Sequence, residues 1–239
     1  MTPYIRHFPA SACAIAAGLL VAACGGGGAS APNTVPGSTG FAVDGYLRGA
    51  TILCDVNGNS EPDAGEPSVI TDSSGFFSFA QACAAGLVVT GGTSIDTSIA
   101  FGGKLKAPPG ATMVTPLTTL MANGMTLDNI NNSLGLPSGT DVTKVDPARS
   151  VGGVYQNADL FRKTLAIQQI LQKIAETRAN VAGAGASAAL PAIYSETAAA
   201  VAARLRTNPT LLSGGTIDTA ALTALVEAAT TRVKASSIL

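Results

Sequence analysis

Two hydrophobic periods divide the chain. Between Phe41 and Thr115 the apolar residues come in short runs separated by Gly, Asp, Asn and Ser. Ala50-Thr51-Ile52-Leu53-Cys54, Ser68-Val69-Ile70-Thr71, Phe76-Phe77-Ser78-Phe79, Gly86-Leu87-Val88-Val89-Thr90 and Ala111-Thr112-Met113-Val114-Thr115 read as strands. Asp72-Ser73-Ser74-Gly75 has the composition of a turn. Ile99-Ala100-Phe101 and Lys104-Leu105-Lys106 flank Gly102-Gly103, which predicts a hairpin. Short strands at regular spacing predict a small antiparallel β-sandwich over residues 41–115.

Past Pro116 the apolar period becomes helical. Thr115 is placed as an N-cap, with Pro116 at the first helical position. Thr126 to Leu134 reads as a short helix stopped by Gly135. From Asn157 to Val181, Leu160, Thr164, Ile167, Leu171, Ile174 and Val181 make one stripe, widened by Phe161, Leu165 and Ile170. Ser195 to Arg206 is Ala-rich and helical. Ile217 to Lys234 carries Leu222, Leu225, Val226, Ala229 and Val233 on one face, with Asp218 near its start and Arg232 and Lys234 near its end, as the helix dipole favours. Residues 116–239 are therefore expected to form a small α-helical bundle. The expected fold class is α+β, an N-terminal antiparallel β-sandwich followed by helices.

The first residues bear on address. An apolar, small-residue run from Phe8 to Ala22 follows Arg6 and His7, and is too short for a membrane span. It ends Leu20-Val21-Ala22-Ala23-Cys24, which resembles the lipobox of bacterial lipoproteins. The resemblance implies a signal peptide over 1–23, cleavage before Cys24 and diacylation of Cys24, with Gly25 in place of Asp favouring the outer membrane. Acyl chains contribute about 0.8 kcal/mol per buried methylene, so a multiply acylated cysteine anchors a chain without a transmembrane helix. Residues 24–40 are rich in Gly, Ser, Pro and Thr and read as a flexible tether.

Composition then narrows the chemistry. Lys and Arg number 14 against 15 Asp and Glu, so nothing points to a nucleic-acid partner. The single histidine, His7, leaves with the signal. That removes Ser–His–acid triads, Cys–His dyads and His-ligated zinc from consideration. There is no phosphate-binding GxxxxGK[ST] loop. With Cys13 discarded and Cys24 lipidated, Cys54 and Cys83 remain as an even pair in an oxidising compartment. A disulfide is the expected reading, with two buried thiols as the alternative.

Acidic residues cluster early. Asp44, Asp55, Glu61, Asp63, Glu66 and Asp72 face only Arg48 as a local cation. Within this cluster lies CDVNGNSEPDAGE, where oxygen-bearing side chains recur at alternate positions. Numbered from Asp55, the residues Asp55, Asn57, Asn59, Glu61, Asp63 and Glu66 fall on the ligand positions of an EF-hand-type calcium loop. Calcium takes six to eight hard oxygens, and a chain wrapped around an ion turns alternate side chains inward. Glu61 would serve through its backbone carbonyl. No helix is expected on either side, so the segment is either a calcium loop or a polar turn between strands.

Val43-Asp44-Gly45-Tyr46-Leu47, Gly49-Ala50-Thr51-Ile52-Leu53-Cys54-Asp55-Val56-Asn57-Gly58-Asn59, Asp63-Ala64-Gly65-Glu66-Pro67 and Thr71-Asp72-Ser73-Ser74-Gly75-Phe76-Phe77-Ser78-Phe79 occur in that order. Together they resemble the B-type repeat domains of serine–aspartate surface proteins and, more loosely, carboxypeptidase-regulatory-like modules. The resemblance implies an Ig-like or prealbumin-like sandwich, a calcium loop between strands and a role as spacer or adhesin stalk. It covers residues 41–80. The motifs after it, Leu87-Val88-Val89-Thr90-Gly91-Gly92-Thr93 and Val114-Thr115-Pro116-Leu117-Thr118-Thr119-Leu120, are similar to a longer unit of large bacterial surface proteins that joins the sandwich to helices. The family carries Gly where this chain has Ser60. If that position needs positive φ, the substitution costs about 1 kcal/mol.

The leading expectation is a non-catalytic envelope lipoprotein that meets an envelope protein or polysaccharide. Two alternatives come from other classes. A carboxylate-dependent polysaccharide hydrolase would draw on Asp96, Asp128, Asp141 and Asp146. A periplasm-facing binding protein would hold a small ligand between sandwich and helices.

Overall fold

The computed structural model describes residues 37–183, 188–209, 211–213, 216–236 and 238. Strands come first and helices after, in a mixed α and β architecture. The strands are β1 (Thr39–Ala42), β2 (Leu47–Arg48), β3 (Thr51–Asp55), β4 (Ser68–Ile70), β5 (Phe76–Ser78), β6 (Gly86–Thr90), β7 (Thr93–Ser94), β8 (Lys104–Ala107) and β9 (Met113–Val114). They build a four-stranded antiparallel sheet in the order β4-β3-β6-β8, a three-stranded sheet β5-β1-β9 and a small β2-β7 pair.

The register of the four-stranded sheet sets its two faces. Ile52, Val89 and Leu105 lie side by side, as do Cys54, Leu87 and Ala107, and all six enter the core. Because successive side chains alternate, Thr51, Leu53, Val88, Thr90, Lys104 and Lys106 fall on the opposite face. Ala42 and Phe77 of the three-stranded sheet enter the same core. Within that sheet β1 pairs antiparallel with β5 but parallel with β9. The all-antiparallel expectation therefore needs correcting at β9. A hairpin forces antiparallel pairing only on neighbouring strands, and β1 and β9 are joined by the whole of the intervening sheet.

Glycines account for a second departure. Ile99-Ala100-Phe101 is not a strand, apart from one bridge between Ala100 and Thr93, and β8 pairs with β6 instead. Gly102 and Gly103 are not a hairpin turn. A β-carbon on Gly102 would stand 2.7 Å from Leu190, and one on Gly103 would stand 2.8 Å from Tyr194 and 2.6 Å from Phe101. They are small because a helix presses on the chain there.

The helices are α1 (Pro116–Ala122), α2 (Leu127–Leu134), α3 (Ala158–Ala182), α4 (Leu190–Thr207) and α5 (Thr219–Ala235), with small hairpins β10–β11 (Ser150–Val151, Val154–Tyr155) and β12–β13 (Leu212–Ser213, Thr216–Ile217). Thr115 caps α1 in a reciprocal box with Thr118. The same turn is fastened to the sheet: Lys106 N–H donates to Thr119 Oγ1 at 2.9 Å, and Thr118 Oγ1 donates to the Lys106 carbonyl at 2.9 Å. Thr126 caps α2, and Gly135 ends it at φ 60°. Asp218 caps α5 by accepting from the Ala221 N–H at 2.7 Å.

Leu160, Thr164, Ile167, Ile170, Leu171 and Ile174 of α3 are buried as the stripe predicts. Val181, the last member of the stripe, is exposed. It lies on the final turn of α3, past the last core contact of that helix at Ala179. Helices α1 and α4 lie against β8, α3 packs on α1 and α4, and α5 packs on α4. Strands and helices thus share one continuous hydrophobic core. The helix over 195–206 begins earlier than its Ala-rich run, at Leu190, with Pro191 in its first turn.

Candidate functional site

The loop that follows β3 folds around its own side chains. Asp55, the last residue of β3, is buried, and its Oδ2 accepts from the Ser60 N–H at 3.1 Å. Asn57 Oδ1 accepts from the Asn59 N–H at 3.0 Å, and Asn59 Oδ1 from the Glu61 N–H at 2.8 Å. These are successive Asx turns, and they place alternate side chains on the inside of the curve. Asp63 Oδ2 closes the curve, accepting from Asn57 Nδ2 at 2.7 Å and Asn59 Nδ2 at 2.6 Å. Those two amides hold the Asp63 carboxyl below its usual range. Glu66 closes the other end. Its Oε1 accepts from the N–H groups of Val56 at 2.7 Å and Asn57 at 3.2 Å, and its Oε2 from Asp63 N–H at 3.3 Å.

The structure therefore brings Asn57, Asn59 and Asp63 together and seats Asp55 and Glu66 at the two mouths of the loop. Glu61 is the exception among the candidate ligands. Its side chain turns outward onto Lys104 of β8, Oε1 to Nζ 2.6 Å, while Lys104 also donates to the Ser60 carbonyl at 2.8 Å. Only the Glu61 carbonyl remains as its contribution to a ligand set. Lys104 was not legible as part of this site, because Lys104-Leu105-Lys106 reads simply as polar-apolar alternation. It is 5 % exposed, and only the sheet places it beneath a loop 44 residues earlier in the chain.

Ser60 stands at φ 64° and Gly58 at φ 77°. Position 6 of the loop is thus left-handed, a conformation for which glycine is suited. Both hydrogen bonds at Ser60 are made by its backbone.

The fit of this loop to a cation has two sides. Among the described residues no group of three or more His, Cys, Asp or Glu side chains stands close enough to hold a metal ion. As folded, Asn57 and Asn59 offer amide hydrogens to Asp63 where a cation would need oxygens. On the other side, Asp55 Oδ1 is buried without a hydrogen-bond partner. A buried carboxylate oxygen left unpaired costs free energy unless a cation or a water completes it. The donor set is oxygen throughout, which suits a hard ion such as calcium.

The disulfide fastens the strand that feeds the loop. Cys54 is bonded to Cys83, with α-carbons 5.8 Å apart, next to Asp55 and inside the core. Cys24 and the tether through Pro36 lie outside the described residues. No described helix is long and apolar enough to cross a membrane.

The acids weighed for hydrolysis are dispersed. Asp128 is exposed in the first turn of α2. Asp141 accepts from the Thr143 N–H and hydroxyl, and Asp146 accepts from the Tyr46 hydroxyl at 2.7 Å and the Ala148 N–H at 2.9 Å. Burial and that bond to Asp146 push the Tyr46 phenol up. Asp96 lines a separate cleft with Asp44. Compared with protein-family models, curated proteins and solved structures, the chain matches none.

Proposed function

We propose that the chain is a non-catalytic cell-envelope lipoprotein, held in the outer membrane through a diacylated Cys24. Residues 41–115 are read as an Ig-like or prealbumin-like β-sandwich, whose loop from Asp55 to Glu66 takes a calcium ion. The helical region completes the core and presents a surface to an envelope protein or polysaccharide.

The observation that carries the calcium reading is the unpartnered, buried Asp55 Oδ1 beside a left-handed Ser60. Asp55, Asp63 and Glu66 supply charge, and Glu61 its carbonyl. Swinging the Asn57 and Asn59 side chains off Asp63 would turn their Oδ1 atoms to the ion, at the cost of the two Asx turns those oxygens now make. Calcium would neutralise acids that otherwise repel one another and would tie the end of β3 to the β4 side of the sheet.

Thermal melting of the full chain in detergent tests this. Binding to the folded state stabilises it by RT ln(1 + [L]/Kd), about 1.4 kcal/mol at a free calcium ten times Kd. For a chain of this size that is a rise of about 3–6 °C. Chelator should reverse it, and Glu66→Gln should remove most of it. A melting curve indifferent to millimolar calcium, or one that magnesium shifts equally, would leave the loop as a polar turn. The anchor is tested separately: fatty-acid labelling should mark the wild type and not Cys24→Ser, and an unlabelled wild type sinks the lipoprotein reading.

A further inference from the structure

Away from the loop, a cleft of about 610 Å³ opens between the turn after β1, the segment after β7 and one flank of α3. Its polar side is built by Asp44, Asp96, Gln168 and Gln172, and its apolar side includes Phe161 and Leu165. Phe161 is backed by Tyr155 of the β10–β11 hairpin, rings stacked at 4.2 Å.

The charges in this cleft do not balance. Lys173 is on its wall, but its Nζ is paired with Glu176 Oε2 at 3.0 Å. The glutamines form a ladder along α3: Gln169 donates to Gln168 at 2.8 Å, Gln168 to Gln172, and Gln172 to Glu176 at 2.6 Å. Gln168 has one remaining amide hydrogen, and it reaches Asp44 Oδ2 at a long 3.5 Å. That is the single hydrogen bond to the Asp44 side chain among the described residues. Burial pushes the Asp44 carboxyl up to about 6, against the small lowering by Gln168. Asp96 has no side-chain hydrogen bond and no ion pair among the described residues. Its Oδ2 lies at Gly45, 3.1 Å from where a β-carbon would stand, so the two acids flank one glycine.

A second feature lies deeper. Tyr194 of α4 is 1 % exposed and its hydroxyl is without a hydrogen-bond partner. It borders a smaller cavity of about 120 Å³ that shares Ile99, Ala100, Phe101 and Gln172 with the cleft. Burial and the nearby Asp44 push its phenol well up. The buried hydroxyl in this cavity and the desolvated carboxylate in the cleft beside it are both short of partners, and they mark polar positions that the chain itself leaves incomplete.

We propose that this cleft binds a small organic cation, its ammonium between Asp44 and Asp96 and its apolar body against Phe161, Leu165 and Phe101. A neutral hydroxyl-bearing ligand would satisfy hydrogen bonds but leave the desolvated Asp44 carboxylate uncompensated. An anion would meet two acids with the only lysine of the wall already engaged.

Calorimetric titration of the full chain in detergent decides it, with phenethylamine as the cation and 2-phenylethanol as its uncharged counterpart. At pH 7.5 the amine is expected to bind at least tenfold tighter than the alcohol. Asp44→Asn should bring the amine down to the alcohol's affinity, and Asp96→Asn should weaken it severalfold. A melting curve for each variant establishes folding, and the exposed Asp96 position keeps the test open if Asp44→Asn does not fold. Wild-type affinity for the amine should fall as pH drops through 6, since protonated Asp44 loses its charge; the other titratable groups lining the cleft and the cavity beside it are Asp96, Tyr155, Lys173, Glu176 and Tyr194. Equal binding of amine and alcohol, binding of neither, or amine affinity unchanged in both variants overturns the proposal. Titrations with calcium and with chelator should agree, because no loop residue lines the cleft. A loop that takes no calcium therefore leaves this result standing.

Discussion

Replacing Ser60 with glycine isolates the strain in the loop. Ser60 sits at φ 64°, where an L side chain clashes with the backbone, at a cost of about 1–2 kcal/mol. Its two hydrogen bonds run from the backbone N–H to Asp55 and to the backbone carbonyl from Lys104, so glycine keeps both. Glycine gives back part of the gain, because its unfolded chain has more freedom to lose, by about 0.5–1 kcal/mol. The net stabilisation is then about 0.5–1 kcal/mol, or about 1–4 °C in melting temperature. Scanning calorimetry of Ser60→Gly against Ser60→Ala reads it. Alanine keeps the strain and loses only a hydroxyl that makes no hydrogen bond, so it should melt with the wild type. The gain in Ser60→Gly should also be the same with calcium and with chelator, since the residue is left-handed already. A gain that appears only with calcium would mean that the left-handed turn forms on binding. No gain in either condition would refute the strain argument altogether.

Three further outcomes follow from other parts of the molecule. The Cys54–Cys83 bond closes a loop with a sequence separation of 29. Chain entropy assigns such a loop about 3.5 kcal/mol, so Cys54→Ala with Cys83→Ala should lower the melting temperature by about 7–14 °C; an unreduced mass showing two free thiols in native material would refute the bond. The Asp44 pKa, raised to about 6 from 3.8, makes the folded state bind its proton more tightly than the unfolded chain does. This group's contribution is most favourable below about pH 4 and declines by at most about 3 kcal/mol as pH rises to 6. Asp44→Asn should therefore melt higher than wild type at pH 8 and lose the advantage at pH 4; an advantage independent of pH would contradict the desolvated carboxyl. Gly103→Ala should destabilise by about 1–3 kcal/mol, because its β-carbon would meet the buried rings of Phe101 and Tyr194. A neutral result in urea unfolding would mean that α4 has room to withdraw from β8.

Local chemistry made much of this protein legible before folding. Thr115, Thr126 and Asp218 cap their helices because a side-chain oxygen next to unpaired N–H groups acts within one turn, whatever surrounds it. Gly86–Thr90 is a strand with the expected ends, because a continuous apolar run suits a strand covered on both faces. The Asx turns of Asn57 and Asn59 arise the same way, from side chains that reach backbone two residues on. What the chain could not display locally depends on distant partners. Gly102-Gly103 looks like a turn until Leu190 and Tyr194 are seen to press on it. Lys104 is an ordinary alternating lysine until β8 carries it beneath Ser60 and Glu61. Asp44, a residue of one motif among several, becomes a desolvated acid only when α3 brings Gln168 against it and α4 sets Tyr194 below. Desolvation and steric contact are summed over every neighbour in space, and only the packed chain assembles those neighbours.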